Sequence, residues 1–71
     1  FKPTPFEERT DVKAMLEYDL KLEREAVENY KRRAQQAEEY GDIGLKVRLE
    51  EIAAEETEHA EELDRILRGW K

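Results

Sequence analysis

From residue 16 to residue 37 the apolar positions step by three and four: Leu16, Leu20, Val27, Tyr30, Ala34 and Ala37. Glu23 fills the middle of that series, and Met15 and Leu22 flank it. A second series runs Leu45, Leu49, Ile52, then Glu56, then His59 or Ala60, Leu63, and Ile66 or Leu67. Steps of three and four are the repeat of one helix face, so two amphipathic helices are predicted. Between Thr10 and Tyr40 there is no Gly or Pro to interrupt the first helix. Thr10 is suited to cap it, with Asp11 favourable in its first turn. Gly41 is placed to end it and Asp42 to cap the next, which runs to about Arg68 before Gly69.

The expected architecture is all-α: helices over about 11–40 and 43–68, joined by a very short turn and therefore antiparallel neighbours. Residues 1–10 carry both prolines and no periodic pattern. They read as an extended arm or crossover linker, and residues 69–71 as a tail with Trp70 as a packing or interface anchor. Gly44, in the first turn of the second helix, is a tolerable weak point. Both apolar stripes are too wide for two helices to cover, so the hairpin is expected to pair with a second hairpin into a four-helix bundle.

Composition changes this picture in four ways. Charged residues make up 45% of the chain, which could signal disorder, but the signs are mixed and helix formers dominate. The net charge of −6 argues against nucleic acid, which needs a basic face. No apolar run approaches the roughly 20 residues of a membrane span, and no signal peptide is visible. At 71 residues without cysteine, the fold needs a metal or oligomerisation for support rather than disulfides. The expected location is the cytoplasm. The first residue is Phe, so a processed, trimmed or partial chain is expected.

Each stripe is broken at mid-length by ionisable residues: Glu23 on the first, Glu56 and His59 on the second. Measured from the turn at about 1.5 Å per residue, their heights are roughly 28, 22 and 26 Å. All three fall within about one helical turn, and residues three apart share a helix face. Carboxylates on an apolar face are costly unless compensated. A divalent cation would compensate them, and this ligand set suits iron or manganese, with zinc less selective. Glu-x-x-His on one helix with Glu on another is half of a di-iron carboxylate pattern that requires the set twice. A second hairpin would supply the other half. Asp19, one turn before Glu23, is the candidate to hold the His59 ring from behind. Tyr30, two turns after Glu23, fits either a core tyrosine or a group that hydrogen-bonds a ligand carboxylate of the partner or delivers an electron. The metal-free reading is a polar layer that only fixes helix pairing, as in coiled coils.

The segments DLKLEREAVENYKRRAQQAEEYGD and LEEIAAEETEHAEELDRIL resemble the second helix pair of ferritin-like proteins, bacterioferritin and its Dps-like relatives above all. The shared pattern is Asp19-Leu20-x-x-Glu23, Tyr30, Gly41-Asp42 and Glu56-x-x-His59, covering about residues 11–68. The resemblance implies metal binding by Glu23 and Glu56, with Glu56 bridging and His59 as terminal nitrogen ligand. It implies a dinuclear iron centre shared between two hairpins, Fe(II) oxidation by oxygen or peroxide, and iron storage or detoxification. It also implies a homo-oligomer, possibly a cage, or a missing N-terminal half as the partner. A di-manganese or peroxidase-type relative is the alternative within that class. The Met that binds haem in bacterioferritins is replaced by Thr57, so no haem is expected by that route.

Overall fold

The computed structural model describes residues 8–70. Among them the secondary structure consists of two helices, α1 (Glu8–Tyr40) and α2 (Ile43–Arg68), packed as a hairpin. The arm expected over 1–10 falls mostly outside the described residues, as does Lys71. The first helix begins ahead of its expected start, so Thr10 lies within its first turn rather than before it. Glu8 and Arg9 are strong helix formers. A capping residue marks a helix start only where the chain before it cannot continue the helix.

The turn is two residues long and both are used. Gly41 has φ of 85°, in the left-handed region. Its N–H donates to the Glu38 carbonyl at 2.9 Å, and the Asp42 N–H donates to the Ala37 carbonyl at 2.9 Å. This pair of bonds is a Schellman motif, which satisfies carbonyls left open at the end of α1. Asp42 then caps α2: its Oδ1 accepts from the Leu45 N–H at 3.0 Å. A Cβ on Gly41 would meet nothing within 4 Å. Gly41→Ala is therefore expected to lose only the backbone preference, about 1–2 kcal/mol, seen as a lower urea midpoint with helicity retained.

The helices meet through small residues. Leu20, Ala34 and Ala37 of α1 and Leu49, Ala53 and Ala60 of α2 form the buried set. Four of these six are alanines, which lets the backbones approach closely. One groove between the helices is spanned by charge: Arg24 Nη2 lies 3.7 Å from Asp64 Oδ1, and Lys46 Nζ lies 3.3 Å from Glu38 Oε1. Asp64 also takes Arg68 Nη2 at 3.0 Å. The opposite face is open. Leu16, Tyr30, Ile52 and Leu63 are only half-buried there, and Met15, Leu22, Leu45 and Ile66 are exposed. The molecule is 12 Å across its thinnest dimension, about one helix diameter. Domains normally stack at least two layers around a core, and this hairpin supplies one.

Candidate metal centre

Glu23 projects from α1, while Glu56 and His59 project from α2 one turn apart. They converge because the hairpin register set by Gly41 and Asp42 places them at one height. One ligand atom from each lies within 4.8 Å of the others. His59 Nδ1 is 3.9 Å from Glu23 Oε2 and 3.9 Å from Glu56 Oε2. Both distances exceed hydrogen-bond length, so the imidazole does not satisfy either carboxylate by direct bonding. The Glu23 and Glu56 side chains are mostly covered, whereas His59 is 60% exposed on the open face.

The chemistry of this set can be tested on one atom. Glu23 Oε2 is buried and has no hydrogen-bond partner. An unsatisfied buried polar group costs roughly 1–3 kcal/mol, more when charged. No lysine or arginine among the described residues forms an ion pair with Glu23 or Glu56. A divalent cation between the three side chains would satisfy the orphaned oxygen and offset both charges. Donor atoms bound at about 2.0–2.2 Å to one ion lie at most about 4.4 Å apart. Closing the observed spacing needs only small side-chain movements, so the residues fit a metal ion.

The other candidate residues stand apart from this cluster. Asp19 is exposed and has no hydrogen-bond or ion-pair partner among the described residues. Within the single hairpin it makes no hydrogen bond to His59. Tyr30 packs on Ala34, Ala37 and Leu49, two turns or about 10 Å along α1 from Glu23. Thr57, beside the cluster in sequence, turns the other way and its Oγ1 donates to the Ala53 carbonyl at 2.8 Å. Sequence reasoning missed the Arg24–Asp64 and Lys46–Glu38 bridges. Opposite charges at matching heights on the two helices were the available signal, but a chain so rich in charge offers many such pairings.

The chain matches the family model described as ferritin-like domain over residues 2–71. With nearly the whole chain covered, it belongs to the ferritin-like family. No curated protein and no solved structure gives a match. No helix among the described residues is long and apolar enough to cross a membrane.

Proposed function

We propose that this hairpin is half of a ferritin-like dinuclear carboxylate centre, similar to the second helix pair of bacterioferritin, and that the completed centre oxidises Fe(II) for iron storage or detoxification. The observation that carries this reading is the buried, unpartnered Glu23 Oε2 facing Glu56 and His59 from the other helix. A polar layer that merely fixed pairing would be expected to satisfy its own hydrogen bonds.

Each hairpin contributes two carboxylates and one imidazole. Glu23, Glu56 and His59 would hold the ions, with Glu23 and His59 serving one ion each and Glu56 shared between two. When the set is doubled, four carboxylates balance two divalent ions and favour the higher charge of the oxidised metal. Two Fe(II) can then give one electron each to one peroxide, which takes up two protons and leaves as two waters. His59 stands at the open side, where it can meet an arriving ion, while Glu23 holds its oxygen under cover. Tyr30, on the same stripe, would meet the ligands of a partner hairpin rather than its own. Measuring Fe(II) oxidation by the assembled wild-type chain against buffer tests this reading. A chain that binds manganese but does not oxidise iron would instead favour the di-manganese or peroxidase-type relative.

A further inference from the structure

We propose that divalent metal controls the pairing of two copies of this hairpin: each copy carries a three-ligand set on the face it presents to the other, and without metal the carboxylates of that set hold the copies apart. This rests on the reading of Glu23, Glu56 and His59 as ligands.

The pairing face is defined by two seven-residue rows. On α2, Leu45, Ile52, His59 and Ile66 recur every seven residues, and on α1 so do Leu16, Glu23 and Tyr30, before the row ends in the buried Ala37. A seven-residue repeat keeps side chains on one face along the helix. Leu45 and Ile66 are 48% and 45% exposed, and Met15 and Leu22 beside the α1 row are 64% and 44% exposed. The apolar part of this face favours being covered. The other groove is already spanned by the Arg24–Asp64 and Lys46–Glu38 bridges, so it does not compete for the partner.

The occupant we commit to is a second copy. A two-fold pairing is self-complementary, and here the ligands sit mid-length on both rows. A copy rotated about an axis near His59 brings its own Glu23, Glu56 and His59 to the same height. The apolar ends of each row then cover each other, and each copy provides the ligands that the other lacks.

The same symmetry creates the control. Pairing gathers four carboxylates, two from each copy, and no lysine or arginine among the described residues ion-pairs with them. Like charges brought together in a partly buried site repel strongly. Two divalent ions cancel the four charges, and ligands from both copies bind them. Because all three ligands of a set already converge within one chain, a single hairpin can take up an ion before it meets its partner. The expected order is therefore metal first and pairing second.

The test is sedimentation velocity on the 71-residue chain, chelator-treated or loaded with Mn(II), with Mn(II) binding read in parallel by calorimetry. Loading is expected to tighten self-association at least tenfold. Glu23→Gln with Glu56→Gln should pair without metal, more tightly than the chelated wild type, because the repulsion is gone. The two single variants should fall between, with circular dichroism confirming retained helix. Chelated wild type that pairs as tightly as the loaded form overturns the proposal. So does a folded double variant that remains as monomeric as chelated wild type. If Mn(II) binds tightly and the mass does not change, metal control of pairing is wrong while the ligand reading stands. If no Mn(II) binds, the ligand reading fails and takes this proposal with it.

Discussion

Glu56→Ala is expected to lower the rate of Fe(II) oxidation by more than about a hundredfold. Residues that merely orient metal ligands cost about 10–100-fold when removed, and Glu56 is assigned a larger role as the carboxylate shared by two ions. Its side chain lies mostly covered beside the buried Glu23 oxygen. A water replacing it would supply no charge, so the site would hold its ions more weakly and disfavour the oxidised state. His59→Ala should be milder, because a terminal ligand serves one ion and the exposed ring leaves little packing behind it. Stopped-flow oxidation of both variants against wild type, with helicity and assembly followed alongside, reads this order directly. An oxidation rate in Glu56→Ala equal to wild type would remove Glu56 from the centre.

Stripping metal is expected to lower the melting temperature by about 10–20 °C. An ion present at a hundred times its dissociation constant stabilises the folded state by about 2.7 kcal/mol. In a domain of this size each kcal/mol is worth about 4–8 °C. The hairpin alone has little else to rely on, since its buried set is four alanines and two leucines. Glu23→Ala should behave in the opposite sense in the metal-free protein. It removes a buried oxygen with no partner, so the chelated variant should melt no lower than chelated wild type and should lose the metal-dependent rise. Calorimetric melting with and without Mn(II) checks both halves. A chelated Glu23→Ala protein that melts far below chelated wild type would mark Glu23 as a structural residue.

Much of this was legible in the sequence because helix periodicity reports direction. The three-four spacing placed Leu20, Ala34, Ala37 and Leu49 inward, and the structure buries all four. Gly41-Asp42 marked the turn because left-handed backbone favours glycine and an open helix N-terminus favours aspartate, and the register of Glu23, Glu56 and His59 followed from counting residues from there. Depth was not legible. Periodicity could not choose between His59 and Ala60 on the inner stripe; Ala60 is buried, while His59 stands on the open face. Asp19 lies one turn before Glu23, yet within the hairpin it is exposed and makes no hydrogen bond to His59, since spacing along one helix does not give reach across to the next. Tyr30 lay on the right stripe and packs on the alanine-leucine core of its own hairpin; its expected contact is with the ligands of a partner, which one hairpin does not contain. The cross-helix ion pairs Arg24–Asp64 and Lys46–Glu38 depend on long, flexible side chains, and exposed pairs of this kind contribute too little energy to leave a pattern.

The dinuclear reading stands or falls on wild-type protein loaded anaerobically with Fe(II) and then mixed with oxygen or peroxide. Oxidation is expected well above the buffer rate, with a fast phase that saturates near about two irons per pair of hairpins, as a dinuclear site requires. Oxidation at the buffer rate by protein that is folded and assembled would contradict it.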